Sequence, residues 1–369
     1  MNKSLVPKIR FKEFINENNF QKIKLKEICL IQKGKSISKD KYDINGKYCI
    51  FNGGINKSGN TNLFNKENCI SISEGGNSCG YVNYIKDKFW SADHNYTLSK
   101  VNLNIFYLFY LLKNNEINIK KLRVGTGLPN IQKKDLENII IYIIRNFEEQ
   151  NLIGHFFTII DRKIELIKEQ LSLLEKQKQY YLNNMFANEK SYPKIRFKGF
   201  NDEWFLKQIQ EVLITIKSLK IKKNFESNTK LPLISQKKDF IDSFIKRGNL
   251  VEQLPIILFG DHTTILKYLD KSFFVADDGI KLLELSNSFK NFNLKFVYYS
   301  VLINNVSQSG YKRHFLMLKN VFISLTNNIN EQTRIANFFS IIDRKIELIR
   351  EQLSLLEKQK QYYLNNMFI

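Results

Sequence analysis

Few side chains in this sequence are spaced for catalysis. His94, His155, His262 and His314 stand far apart and lack the close spacings that hold a metal. Cys29, Cys49, Cys69 and Cys79 are separated by 20, 20 and 10 residues, which fits no paired-cysteine zinc pattern even with His94 added, so buried thiols are expected. Gly34-Lys35-Ser36 ends like a phosphate-binding loop, but Cys29 stands where its leading glycine belongs. The 5 prolines are never adjacent, so the Asn-Pro-Pro-aromatic motif of adenine methyltransferases is absent. No serine or cysteine nucleophile is recognisable. Asp261-His262 has the composition of an acid-base pair, and a place facing nucleic acid or in the core is the expected one. What the polar residues can do is hydrogen-bond and neutralise charge.

Two bodies carry those residues. In the first, NGGINKSGNT (Asn52 to Thr61) and SEGGNSCGYV (Ser73 to Val82) are glycine-rich turns, and GTGLPN (Gly125 to Asn130) has backbone amides suited to a phosphate. Asparagine carries a donor and an acceptor side by side, which matches the edge of a base. Candidate DNA contacts here are Lys35, Asn52, Asn56, Lys57, Asn77, His94, Asn95, Thr126 and Asn130; the competing reading is that Asn and Gly only build loops. In the second body the candidates are Gln236, Lys237, Lys238, His262, Lys267 and the compact run Tyr311, Lys312, Arg313, His314. Arg reads guanine with two hydrogen bonds and its neighbours can clamp phosphate, against the alternative of a solvated surface loop.

These bodies need something to hold them, and the chain supplies it twice. FFTIIDRKIELIKEQLSLLEKQKQYYLNNMF at Phe156 to Phe186 returns 182 residues later at Phe338 to Phe368, with only Thr158/Ser340 and Lys168/Arg350 differing. A weaker echo opens each half, PKIRFKEF at Pro7 to Phe14 and PKIRFKGF at Pro193 to Phe200, whereas the bodies between show no obvious similarity. Within the repeat, residues stepping by four and three give a heptad seam: Ile160, Ile164, Ile167, Leu171, Leu174, Lys178, Tyr181, Met185, and again Ile342, Ile346, Ile349, Leu353, Leu356, Lys360, Tyr363, Met367. Neither copy contains Gly or Pro, so each of these ~31-residue segments is expected to be a helix of roughly 46 Å. The seams are expected to bury each other, with Lys178 and Lys360 interrupting the apolar run and specifying register. A second stripe, Leu166, Leu173, Tyr180 with Leu348, Leu355, Tyr362, is left to cover the bodies or to dock a partner.

The formal net charge of +21 and a pI near 9.6 favour a polyanionic partner, although a chain so rich in Lys, Asn and Ile also fits an AT-rich coding sequence. Each repeat is only net +1, so nearly all the positive charge lies in the bodies and their flanks. The start lacks the apolar core of a signal peptide and runs such as Ile139 to Ile144 are far short of a membrane span, so a cytoplasmic location is expected.

Two variable bodies alternating with two near-identical helical segments resemble the specificity (S) subunit of type I restriction-modification systems, over essentially the whole chain. PKIRFKGFNDEW, FWSADHN at Phe89 to Asn95, GTGLPN, GDHTTILKY at Gly260 to Tyr268 and GYKRHF also resemble recurrent elements of that family. The resemblance implies an α+β chain: lead-in 1–19, target recognition domain 20–147, helical region 148–189, second lead-in 190–203, second target recognition domain 204–329 and helical region 330–369. It implies two long helices in an antiparallel coiled coil with pseudo-twofold symmetry. It implies double-stranded DNA of bipartite sequence as ligand, two methyltransferase subunits and two restriction subunits as partners, and no catalysis by the chain itself. S-adenosylmethionine, ATP and Mg2+ would belong to the partners. The first lead-in lacks a counterpart to Trp204, so the two lead-ins are expected to pack differently. A stand-alone DNA-modifying enzyme or nuclease, or a coiled-coil interaction protein with no DNA role, are the alternatives.

Overall fold

The computed structural model describes residues 6–17, 20–125, 127, 129–187, 192–216, 221–237, 241–276, 279–310 and 312–369. The chain mixes helix and sheet in two compact units, Met1–Glu169 with Glu351–Ile369, and Gln170–Arg350. In the first unit the strands are β1 (Phe20–Lys24), β2 (Leu30–Lys33), β3 (Tyr48–Phe51), β4 (Gly59–Thr61), β5 (Cys69–Ser73), β6 (Val82–Ile85), β7 (Phe89–Ser91), β8 (Asn95–Ser99), β9 (Arg123–Val124), β10 (Asn130–Ile131) and β11 (Ile140–Ile144). They form a four-stranded sheet in the order β2-β8-β5-β6, a three-stranded sheet β4-β3-β7, and the pairs β1-β11 and β10-β9. All five residues of β5 are buried, and its alternation sends Ile70 and Ile72 into the core while Ser71 and Ser73 face the other way. Helices α1 (Ile105–Asn114), α2 (Glu116–Lys120) and α3 (Lys133–Asn138) follow, and the long α4 (Phe147–Met185) begins just after β11.

The second unit contains α5 (Ile209–Val212), α6 (Leu294–Ile303), α7 (Phe315–Lys319) and the long α8 (Ile329–Met367). Its strands are β12 (Phe205–Gln208), β13 (Leu213–Thr215), β14 (Ile221–Ile234), β15 (Ser243–Val251), β16 (Ile256–Gly260), β17 (Leu266–Leu269), β18 (Phe273–Val275), β19 (Ile280–Leu285) and β20 (Phe322–Leu325). The sheet order β13-β19-β16-β17 repeats β2-β8-β5-β6 strand for strand, and β12-β20 repeats β1-β11. In the smaller sheet β3 runs antiparallel to β4 and parallel to β7, and β14 does the same with β15 and β18. Two bodies without recognisable sequence similarity therefore share one fold. A few buried polar residues explain how. Asn104 caps α1 by accepting from the backbone N–H of Phe106 and Tyr107, and Asn293 caps α6 through Lys295 and Phe296. Gln150 and Gln332 each bridge that cap to the strand beside it, accepting from the N–H of Asn104 or Asn293 and donating to the carbonyl of Ile144 or Thr326.

Each body is fixed to its helix segments by the same contacts. Arg10 forms a two-pronged pair with Glu149 at 2.7 Å and Arg196 does so with Glu331 at 2.7 and 2.8 Å; both glutamate side chains are 0% exposed. In the first unit Tyr110 donates to Asp161 (2.7 Å), which also meets Lys360 (2.5 Å). In the second, Tyr299 donates to Asp343 (2.7 Å), which meets Lys178 (2.6 Å). A further ion pair lies beside each clasp, Lys168 to Glu357 at 2.8 Å and Arg350 to Glu175 at 2.5 Å. Within either unit, residue numbers rise along one helix segment as they fall along the other, so the two segments run antiparallel. The aromatic ends are equivalent too. Phe368 packs on Phe157 and Tyr107 in the first unit, Phe186 on Phe339, Phe296 and Trp204 in the second. Trp204 is buried there, whereas the first lead-in places Arg10 over the ring of Phe20 at 4.8 Å, so the lead-ins pack differently.

Removing one partner of a buried ion pair strands the other charge. Arg196→Ala is expected to lower the free energy of unfolding by about 3–5 kcal/mol in urea titrations, and replacing Arg196 and Glu331 together by Met and Leu should recover most of it. A loss from the single change no larger than that from the double would mean that the pair does not organise this unit.

Candidate nucleic-acid interface

In the first body the loops leaving β2, β3 and β5, the β7–β8 connection and the turn before β10 are tied into one surface by backbone hydrogen bonds. Gly34 donates to Asn95, Lys35 to Ser91, Glu74 to His94, Gly76 to Pro129 and Ile131 to Glu74, at 2.8 to 3.0 Å. Gly34 is needed for packing: a Cβ there would lie 1.9 Å from the carbonyl oxygen of Ala92. The surface so assembled exposes Lys35, Asn56, Lys57, Asn77, His94 and Asn130, together with Lys33, which the sequence reading omitted. Lys57 reaches Asn60 at 3.0 Å, and Asn130 accepts from Gln132 at 2.9 Å. Asn52 is half-buried and accepts from the N–H of His94 (3.2 Å), so it shapes the loop. Beneath these lies Glu74, a buried carboxylate that accepts from Lys33 (2.7 Å) and the Tyr96 hydroxyl (3.1 Å) and whose second oxygen is 3.9 Å from Nδ1 of His94. Burial and the neighbouring Glu74 carboxylate push the Tyr96 hydroxyl far above its ordinary range. A hydrogen bond from Ser36 holds the Asp93 carboxyl below its usual one.

The equivalent surface of the second body contains exposed Lys237, Lys312 and Arg313. Gln236 and His262 are half-buried and bonded to each other, with Oε1 of Gln236 accepting from the His262 N–H at 3.1 Å. Asp261 is 3% exposed and accepts from the N–H of Phe315 at the start of α7 (2.8 Å), so its carboxylate is used as a cap. Thr126, Lys238 and Tyr311 lie outside the described residues.

Three sequence candidates cannot touch a ligand with their side chains. Asn95 is 2% exposed, donating to the carbonyl of Phe51 (2.6 Å) and accepting from Gly53 (3.2 Å). His314 is 0% exposed, its Nε2 accepting from the Ser309 N–H at 3.0 Å and its Nδ1 lying 3.1 Å from the Asp261 carbonyl. Lys267 is 3% exposed and donates to the Ser235 carbonyl (2.9 Å). In each case a polar group has been taken out of water and its bonding capacity spent inside.

The four cysteines are free thiols: Cys29, Cys69 and Cys79 are buried and Cys49 is partly so. Burial pushes the Cys29 thiol up to about 12 and that of Cys69 up to about 11. Among the described residues no three of His, Cys, Asp and Glu gather as a metal site, and no helix is long and apolar enough to cross a membrane. On the long helices Ile164, Ile167, Met185, Ile342, Ile346, Ile349 and Met367 of the seam are buried, and Ile160, Leu171, Leu174, Lys178, Tyr181, Leu353, Leu356, Lys360 and Tyr363 are partly buried. The second stripe is open to solvent, from 47% at Leu166 and Leu348 to 66% at Leu173, with Tyr180, Leu355 and Tyr362 between.

Comparison with known proteins places this architecture in a group. The family model of the type I restriction modification DNA specificity domain matches residues 17–176. A putative type I specificity subunit of Mycoplasma pneumoniae is 32% identical over 188 residues, 50% of this chain and 49% of the relative, so the chain matches about half the length of that protein. One from Mycoplasma genitalium is 24% identical over 386 residues, covering 99% of this chain and 97% of its own. The crystal structure of a type I restriction-modification S subunit from M. genitalium has the same fold, with a TM-score of 0.74 at 20% identity over 99% of both chains.

The burial pattern separates supporting asparagines from exposed ones. Asn95→Ala is expected to cost about 1–3 kcal/mol in urea denaturation, because it leaves the buried Gly53 N–H unpaired and the Phe51 carbonyl with the Ala92 N–H as its remaining donor. Asn77→Ala, at an exposed position, should change stability by less than ~0.5 kcal/mol. Equal stability losses would place Asn77 in the scaffold as well.

Proposed function

We propose that the chain is a specificity subunit of a type I restriction-modification system, in which each body reads one half of a bipartite duplex sequence and the long helices set the gap between the halves. The observation that carries this reading is one scaffold presented twice with different exposed side chains: Lys35, Asn56, Asn77 and His94 on the first body, Lys237, Lys312 and Arg313 on the second. Lysines and arginines supply salt-dependent affinity for phosphate, and asparagine, histidine and arginine side chains supply the hydrogen bonds that distinguish base edges.

The helices form an antiparallel coiled coil with pseudo-twofold symmetry. Support comes from the exchange of roles in the ion pairs. Asp161 of the first repeat meets Lys360 of the second, and Asp343 of the second meets Lys178 of the first; Lys168 with Glu357 and Arg350 with Glu175 obey the same exchange. A twofold axis perpendicular to the helices matches the dyads of duplex DNA, as it does in symmetric readers of spaced half-sites. The solvent-open stripe, present in both copies, docks two methyltransferase subunits, and restriction subunits join to complete the assembly. The chain itself is a positioning subunit. Adenine methylation and DNA cleavage, with S-adenosylmethionine, ATP and Mg2+, are carried out by the partners, and base extrusion falls to the methyltransferase.

The test is a map of N6-methyladenine in plasmid DNA from cells expressing the cognate methyltransferase subunit, with this chain, without it, and with a variant lengthened by four residues in both long helices. A split motif is expected only when the chain is present, and the lengthened variant should widen its spacer by about two base pairs, because one turn adds ~6 Å. Methylation independent of the chain would remove it as the reader. An unchanged spacer would remove the helices as the ruler.

A further inference from the structure

In the second body the smaller sheet closes into a three-stranded barrel, β15 pairing with β18 as well as with β14, and β14 and β15 are far longer than their counterparts in the first body. In the first body β3 and β4 have 4 and 3 residues; in the second, β14 and β15 have 14 and 9. The extra length buries almost nothing: from Lys222 to Lys230 and from Ser243 to Asn249 no residue is buried, and Lys222, Lys223, Lys230, Lys246 and Arg247 are exposed. Two strands open to water on both faces gain little from burial and are marginal alone, so core packing does not account for the ribbon. Nor do internal ion pairs. Lys222 pairs with Glu252, but among the described residues Lys223, Lys230, Lys246 and Arg247 make no ion pair, and Glu226 opposite Arg247 in the register makes none either. Register shifts between Lys222 and Phe225 and between Glu226 and Leu231 bend the ribbon and add to its twist.

We propose that the β14–β15 ribbon is a second DNA-contacting element of this body, laid along a groove of the duplex with Lys223, Lys230, Lys246 and Arg247 on phosphates. This rests on the reading of the chain as a DNA-binding subunit and adds a contact that its loops do not supply. A two-stranded ribbon fits the major groove, which is about 12 Å wide. Gln236 and Lys237 of the candidate interface follow β14 directly in the chain, so the ribbon adjoins that surface. Four phosphate contacts carry affinity without sequence information, and their signature is salt dependence.

The test uses the full chain, a duplex containing the methylated motif and a random duplex. The quadruple variant K223Q/K230Q/K246Q/R247Q is compared with K163Q/K176Q/K345Q/K358Q, which removes the same charge from exposed sites on the long helices. The ribbon variant should lower the slope of log affinity against log salt by about 3 to 4 on both duplexes while the methylated motif is unchanged; the helix variant should leave the slope as it was. Thermal melts of both variants confirm folding, which substitutions at exposed sites should preserve. An unaltered slope for a folded ribbon variant overturns the proposal. That holds if the variant instead aggregates, which would assign the lysines to protecting an open strand edge, or if it loses the methyltransferase subunit, which would make the ribbon a protein contact. Failure of the unaltered chain to bind DNA at all overturns both this proposal and the reading beneath it.

Discussion

One aspartate on each long helix has to satisfy two partners that approach from different elements. Asp161 accepts from Tyr110 on α1 and pairs with Lys360 on α8; Asp343 accepts from Tyr299 on α6 and pairs with Lys178 on α4. The lysines occupy seam positions where an apolar residue would pack better, and each lies near the ring of the same tyrosine, at 5.6 and 5.8 Å. Burial, and then the aspartate charge, push both tyrosine hydroxyls far above their ordinary range, so they remain donors. Such a cluster contributes little net stability compared with an apolar substitute. Its effect is on geometry. Sliding one helix segment along the other breaks the lysine contact, and rotating the body on its helix breaks the tyrosine contact.

With that geometry held, sequence variation is confined to what the scaffold does not need. Asn104 and Asn293, Gln150 and Gln332, and the buried Arg–Glu pairs recur because each satisfies backbone or carboxylate groups that have no water available. Lys35, Asn77, Lys312 and Arg313 are exposed, and His94 and Lys237 make only long contacts to Glu74 and Asp242, so the scaffold leaves these positions free to differ between the bodies. The ribbon of β14 and β15 extends that freedom from side chains to a whole element.

The helices were legible from the sequence because a heptad repeat is a local pattern, and the duplication because 29 of 31 residues coincide. The common fold of the bodies was not. Its determinants are a handful of polar residues scattered among dissimilar apolar ones, although Asn146, Glu149 and Gln150 do return at Asn328, Glu331 and Gln332 with the same 182-residue offset as the helices. Residue type misled at Asn95, His314 and Lys267, since a side chain able to bind a base is equally able to bind a backbone, and only burial tells which it does. The ribbon escaped for a related reason. Ile221 to Lys230 is polar and lysine-rich, which reads as a loop when strands are sought by apolar alternation.

The central claim is that the two bodies are interchangeable supports for different reading surfaces. The most direct test is to replace residues 20–146 by a second copy of residues 205–328, express the product with the cognate methyltransferase subunit, and map the methylated sequence. The account predicts an inverted repeat of one half-site across an unchanged spacer. An asymmetric motif, or no methylation from a folded chain that still binds the methyltransferase, would contradict it.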